Sequence, residues 1–248
     1  MKTGWNISIA AGLIAILFAC NNPTNTSTLE VEPTAGGLVK DRDTVAIKDN
    51  DSIAIHNYQL VFNTADSIAI PDFLDQHGIK LSGGQMAYFT SYKHGLGLHL
   101  ANGDTTVLQN DTSGAREYHF FAHMPGINHH LVRVQYPEGN SYLLVNARNG
   151  KKAELIGLPY VSPSKKYIIA INQDLIAGHS PNAIQLLKIE NDSLAHQFTL
   201  DVKGWGPEKI KWLSDSSFIV QKKTAIENSA KSRIDESTSY ARVRIQER

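Results

Sequence analysis

From residue 85 onward the chain consists almost entirely of short β-branched or aromatic runs separated by turn residues, which restricts it to folds built from antiparallel strands. The runs include Met86–Tyr92, Leu96–Leu100, Glu117–His123, His130–Tyr136, Tyr142–Asn146, Tyr167–Ile171, Ala183–Ile189, Ala195–Val202, Ser217–Lys222 and Tyr240–Gln246. Hairpin turns are marked by Asn102-Gly103, Asn149-Gly150 and Asn191-Asp192, residues that tolerate positive φ, at intervals of 47 and 42 residues. Upstream, a small unit occurs three times: Asp43-Thr44-Val45-Ala46-Ile47, Asp51-Ser52-Ile53-Ala54-Ile55 and Asp66-Ser67-Ile68-Ala69-Ile70. Each reads as a turn-prone start followed by alternating strand residues, and the first two predict a hairpin across Asp49-Asn50. Pro71 to Lys80 is the one short stretch predicted to be helical.

A longer pattern is in phase with the turns. Tyr160 to Ile169 can be laid on Lys211 to Val220 at an offset of 51 residues, both reading as strand, tight polar turn, strand. The first copy, with Ser162-Pro163 and Lys165, resembles the turn between inner strands of a WD40-like or TolB-type β-propeller blade, although Ser164 and Lys165 stand where that turn has Asp-Gly. Residues 140 to 222 as a whole resemble bacterial lipoproteins with blade-like repeats, a resemblance that brings no activity with it. A period of 42 to 51 residues matches one four-stranded blade, so about 205 folded residues make four or five blades. The expected fold is all-β, a small propeller-like array of antiparallel blades, with a β-sandwich or open meander as the alternative. In such an array Tyr240–Gln246 would lack an outer neighbour, which the Asp43–Ile55 hairpin is placed to supply.

The N-terminus addresses the chain to the cell envelope. Lys2 is followed by an uncharged apolar run of 12 residues, Ile7 to Phe18, and then by small Ala19, the layout of a secretory signal and too short to span a bilayer. Leu17-Phe18-Ala19-Cys20 resembles the bacterial lipobox. That resemblance implies cleavage between Ala19 and Cys20 and diacylglycerol on the Cys20 thiol, often with a further acyl chain such as palmitate. Several acyl chains, at roughly 0.8 kcal/mol per buried methylene, anchor stably where one does not. Asn21 to Gly37 is polar and rich in Pro, Thr and Gly, the composition of a flexible tether. The boundaries expected are therefore a signal at 1–19, a lipidated tether at 20–40 and one folded domain at 41–248. Residue 21 is Asn; enterobacterial lipoproteins retained in the inner membrane carry Asp there, so the resemblance points to the outer membrane.

Composition narrows the chemistry. Cys20 is the one cysteine, so the exported domain has no intramolecular disulfide and no thiol nucleophile or thiolate metal site. With 24 basic and 24 acidic side chains and no long block of either sign, nothing in the charge pattern calls for nucleic acid. Leu81-Ser82-Gly83-Gly84-Gln85 spells the signature loop of transporter ATPases, but no GxxxxGK[ST] precedes it, so it reads as an ordinary loop. Ser180, in Gly178-His179-Ser180-Pro181, lacks the second glycine of a nucleophile elbow.

Two features remain as candidate sites. Six of ten histidines lie between residues 94 and 130. On an extended strand His119, Phe121 and His123 share one face, and with His129 or His130 from the next strand they approach a zinc-like nitrogen set; the bland reading is aromatic-like packing. Gly204-Trp205-Gly206-Pro207 holds Trp205 on a stiff turn, a ligand anchor if exposed and core if buried. The polar span Thr224 to Thr238 is predicted to be a long loop. The leading expectation is a lipid-anchored envelope protein, without cofactor, whose domain binds an envelope protein or a small envelope ligand. A metal-assisted hydrolase using the histidines, and a structural periplasmic component, are the alternatives.

Overall fold

The computed structural model describes residues 42–81, 83–191, 193–228 and 233–248. The signal, Ala19, Cys20, the tether, Ser82 and Asp192 lie outside the described residues. In chain order the strands are β1 (Arg42–Ala46), β2 (Ser52–Ile55) and β3 (Tyr58–Ala65), then a single helical turn α1 (Phe73–Gln76). There follow β4 (Phe89–Tyr92), β5 (Gly95–His99), β6 (Thr105–Gln109), β7 (Glu117–Met124), β8 (His129–Tyr136), β9 (Gly139–Asn146) and β10 (Lys152–Leu155). The last are β11 (Leu158–Val161), β12 (Tyr167–Asn172), β13 (Ala183–Glu190), β14 (Ser193–Lys203), β15 (Gly206–Ser214), β16 (Ser217–Asn228) and β17 (Arg233–Glu247).

These strands form four separate sheets, antiparallel throughout except at β1: β4-β5-β6, β7 to β10, β11 to β14 with β1 added beside β14, and β15-β16-β17-β3-β2. Four sheets are too many for a two-sheet sandwich. Three of them are simple meanders in chain order, each strand pairing with its sequence neighbour, as the regular turn spacing requires. Asn102-Gly103 joins β5 to β6 and Asn149-Gly150 joins β9 to β10, with Gly103 and Gly150 at φ 87° and 71°. Asn191 enters the β13 to β14 turn at φ 53°. The 51-residue repeat places β11–β12 in one sheet and β15–β16 in the equivalent strands of the next. The two turns touch, since the Ser164 backbone N–H donates to the Asp215 carboxylate at 2.9 Å, and the Trp212 indole N–H donates to the Tyr160 carbonyl at 2.9 Å.

The fourth sheet joins strands from early and late in the described chain. Residues Tyr240 to Glu247 of β17 pair with Ala65 to Tyr58 of β3 over eight positions, and β2 then pairs with β3. The missing neighbour of Tyr240–Gln246 thus comes from the N-terminal side, but from β3. The hairpin predicted across Asp49-Asn50 is corrected to one across His56-Asn57. Strand β1 leaves for the other sheet, where it runs parallel to β14 from Arg42 opposite Thr199 to Ala46 opposite Lys203. His56, at φ 50° two residues before Tyr58, lies in the turn that closes β2 on β3.

Side-chain alternation shows which sheet faces are covered. Tyr167 to Ile171 of β12 are all buried, so that sheet is packed on both sides. On β17, Ala241, Val243 and Ile245 are buried while Arg242, Arg244 and Gln246 are exposed, so the fourth sheet has one face in the core and one in solvent. The main core collects Phe62, Phe198, Phe218, Leu144, Ile168 and their neighbours. A smaller one fills the space between β5–β6 and β7–β9 with Leu96, Leu98, Val132, Leu143 and Val145. Tyr92 and Val107 are exposed on the far side of the β4–β6 sheet.

Two further expectations change. The run at Met86 begins as a 3₁₀ turn, Gly83–Ala87, and becomes strand at Phe89. Thr224–Asn228 and Arg233–Thr238 are strand: β16 and β17 stay paired from Lys223–Thr238 out to Asn228–Arg233, past the residues paired with β15 and β3, and residues 229–232 lie outside the described residues.

Phe62 is 1% exposed and meets Trp205 edge-on at 6.5 Å, on the core face of the fourth sheet. Phe62→Ala is expected to lower stability by about 3–5 kcal/mol, read as a lowered urea midpoint; an unchanged midpoint contradicts the pairing of β3 with β17.

Candidate functional site

Trp205 is buried at 5% exposure. Its indole N–H donates to the Ile47 carbonyl at 3.1 Å, and the Lys222 ammonium lies 5.4 Å from its ring centroid while pairing with Asp49 at 2.6 Å. Every face of the ring is used internally, so the ligand-anchor reading of Trp205 is corrected to a core role that ties the segment after β1 to β16.

The four histidines are split by a β-bulge. The register between β7 and β8 shifts between Phe120 and Ala122, leaving Phe121 unpaired. That extra residue reverses the alternation, so His119, opposite Arg133, and His123, opposite His130, no longer share a face. His119 is exposed beside Glu117 at 3.4 Å. His129 lies next to His130 in sequence and so on the opposite face of β8, its Nδ1–H donating to the Ile127 carbonyl at 2.6 Å. His123 and His130 meet, their ring centroids 5.1 Å apart, with Tyr88 stacked on His123 at 4.3 Å. Among the described residues no three His, Cys, Asp or Glu side chains are grouped to hold a metal ion, and the convergence expected of His119, His123, His129 and His130 is corrected accordingly.

What the pair does instead is follow from its hydrogen bonds. His130 Nε2–H donates to the His99 carbonyl at 2.9 Å, leaving Nδ1 as a buried lone pair with no partner among the described residues. Burial therefore pushes its pKa down to about 4, and it lowers that of His123 as well. His77 behaves similarly: Nδ1–H donates to the Phe73 carbonyl at 2.8 Å, Nε2 accepts the Val161 N–H at 3.1 Å, and burial lowers its pKa. These three rings are neutral packing groups.

An open surface with uncommitted chemistry lies elsewhere, on the solvent face of the fourth sheet. A groove of about 560 Å³ is lined by Thr64 to Ile68, Leu213, Ile219 and Arg242. Arg242 stands in register with Asn63 on β3 and Ile219 on β16, and Ile219 in turn with Lys211 on β15. Ile219 forms an apolar floor, 5% exposed although it sits on the outward face. A register shift between Trp212 and Ser214 frees Leu213, 38% exposed, to form one wall. Asp66-Ser67-Ile68 forms the other. This third copy of the Asp-Ser-Ile-Ala-Ile unit, read in the sequence as strand entry, is not a strand: the chain leaves the sheet at Ala65 and has no regular secondary structure up to Pro71, which has no N–H for a ladder. Arg242 and Asp66 make no ion pair or side-chain hydrogen bond among the described residues, and neither do Lys211 and Arg244 on the same face. The sequence reading missed this site. Its one signal is the alternation of Ala241, Val243 and Ile245 with Arg242 and Arg244, which marks a basic outward face.

No protein family, curated protein or solved structure matches the chain.

The buried histidines set an acid limit. A folded pKa below the unfolded value means that the unfolded chain binds more protons, so stability is lost as pH falls below about 6.5, and His130 goes on contributing to that loss down to about 4. His130→Gln is expected to flatten urea-denaturation stability between those limits by about 1.4 kcal/mol per pH unit; wild-type stability independent of pH across that window contradicts the assignment.

Proposed function

We propose that the chain is an exported lipoprotein, anchored through acylated Cys20 to the bacterial envelope and facing away from the outer membrane on a flexible tether, with a four-sheet propeller-like domain that binds an envelope ligand. The resemblance of Leu17-Phe18-Ala19-Cys20 to a lipobox supports the anchor. The chain-order meanders, with β3 completing the last sheet, support the propeller-like reading.

The observation that carries the binding role is the groove on the outward face of β15, β16, β17 and β3. It combines an apolar floor at Ile219, an apolar wall at Leu213, a mixed wall at Asp66-Ser67-Ile68 and the charges of Arg242 and Asp66, and its volume falls within the range of roughly 300–1,000 Å³ common for ligand sites. Leu213, Ile219 and Arg242 sit on a sheet fixed by the ladder between β3 and β17, so that part of the surface is preorganised. An anchored binder gains from its anchor, because confinement beside the membrane raises its effective concentration for partners held there.

Cys20→Ser is expected to abolish incorporation of a labelled acyl chain and to move the protein from the membrane to the soluble envelope fraction. Retention of label or of membrane association in that variant contradicts the anchor.

A further inference from the structure

We propose that the free edge of the β4-β5-β6 sheet is a self-association surface, at which β6 pairs antiparallel with β6 of a second copy of the chain about a two-fold axis at Val107.

The sheet edges argue for it first. The sheets have five, four, five and three strands, and the three-stranded one ends at β6. An unpaired edge strand invites pairing with another chain unless charge, proline, a bulge, shortness or a covering segment blunts it. Most of the other edges are blunted in these ways. β10 carries Lys152 and Glu154. β11 contains Pro159, and its Val161 N–H is taken by His77 Nε2 at 3.1 Å. β15 contains Pro207, and its Ile210 carbonyl accepts the Gln76 side-chain amide at 2.8 Å. β7 has the bulge at Phe121 and gives its His123 N–H to Gln85 Oε1 at 3.3 Å. β2 and β4 are four residues long. β6, Thr105-Thr106-Val107-Leu108-Gln109, has no charge, no proline and an unbroken register with β5.

That register fixes which backbone groups are free. The Leu100 N–H donates to the Asp104 carbonyl at 2.9 Å and the Asn110 N–H to the His94 carbonyl at 3.1 Å, so the even-numbered residues of β6 form the hydrogen-bonded pairs with β5. The N–H and C=O of Thr105, Val107 and Gln109 therefore point away from β5, and no hydrogen bond engages them among the described residues. All three residues are exposed, Val107 at 47%.

A two-fold axis at Val107, the midpoint of the strand, overlaps β6 with its copy in full. It places Val107 opposite Val107 and Thr105 opposite Gln109 of the second copy, so the free groups of all three residues pair in about six hydrogen bonds. The side chains suit the same register: two exposed valines cover each other, Thr105 meets an uncharged partner, and just beyond the strand Asp104 meets Asn110, so no like charges oppose. A ladder this short falls below the roughly 1,000 Å² of a stable interface, so the pairing is weak in solution. Holding copies on one membrane raises their effective concentration and strengthens it. That last step rests on the anchored reading; the pairing does not.

The test uses the full chain with Cys20→Ser, so that an introduced thiol is the only one, incubated with oxidised glutathione over a range of protein concentrations. A hydrogen-bonded antiparallel pair has its Cα atoms about 5.5 Å apart, within reach of a disulfide. Val107→Cys is expected to give a disulfide-linked dimer. Thr105→Cys and Gln109→Cys, each about 13 Å out of register with its own copy at roughly 3.4 Å per residue, are expected to remain unlinked alone and to link when mixed. Adding Val107→Lys to that mixture sets like charges opposite each other and is expected to abolish the link. The positions are exposed, and an unchanged melting curve verifies that each variant folds. No link at 107 by the folded chain in solution or on vesicles, or linking of the 105 or 109 variant alone equal to that of the mixture, overturns the proposal. A link at 107 in the native envelope to another protein, with none to a second copy, overturns it too and assigns the edge to a foreign peptide. The anchor is judged separately: if Val107→Cys links in solution but no better with Cys20 restored on lipid vesicles, the anchored reading fails and the pairing stands.

Discussion

The ladder between β3 and β17 is the interaction on which the rest of the structure depends. It joins residues 58–65 to residues 240–247, far apart in the sequence, and without it the last sheet would keep only β15, β16 and β17. Phe62, Leu60, Val243 and Ile245 are buried along it. Closing so long a loop carries an entropic cost that grows slowly with length, and the row of buried side chains on one face offsets it. The same ladder leaves the opposite face open and in fixed register, which brings Arg242, Ile219 and the exit of β3 together.

Polar groups in the interior are handled by exact pairing or by neutrality. Gln185 illustrates the first: its amide accepts the Ile156 N–H at 3.2 Å and donates to the Glu154 carbonyl at 3.3 Å, stitching the end of β10 to the next sheet. Ser162 illustrates it again, since its hydroxyl accepts the N–H groups of Lys166 and Tyr167 at 3.1 and 3.0 Å and so fixes the turn that the repeat encodes. His77 and His130 illustrate the second, each held in one tautomer by a backbone carbonyl. Lys222, 8% exposed, keeps its charge in the interior by pairing with Asp49 at 2.6 Å, while Arg242 and Arg244 stand on the exposed face of β17.

What could be read in the sequence was what is local. Asn-Gly turns close hairpins by their own backbone preferences, so Gly103 and Gly150 lie where the turn spacing put them. The 51-residue repeat holds because Tyr160 and Lys211 lie on equivalent edge strands, β11 and β15, of two sheets. The failures are non-local. Nothing near Asp43 tells β1 to lie parallel to β14, because its partner Leu200 is 157 residues away. The bulge at Phe121 depends on how β8 is paired, and one extra residue was enough to scatter the histidines. Trp205 carries no local mark of burial; its partners Ile47, Phe62 and Lys222 come from three separate elements. The groove is likewise assembled from the exit of β3, a bulge in β15 and the solvent face of β17, with no motif spanning them.

The central claim is that ligand binding occurs on the solvent face of the sheet built on the β3–β17 ladder. A photoreactive amino acid placed at Leu213, at the groove wall, and separately at Val107, 47% exposed on the far side of the β4–β6 sheet, tests it in the native envelope with Cys20 intact. The account predicts a discrete crosslinked adduct with an envelope component from position 213 and none from position 107, where the one adduct expected is to a second copy of the chain. Adducts with an envelope component from 107 alone, or equally from both, would contradict it.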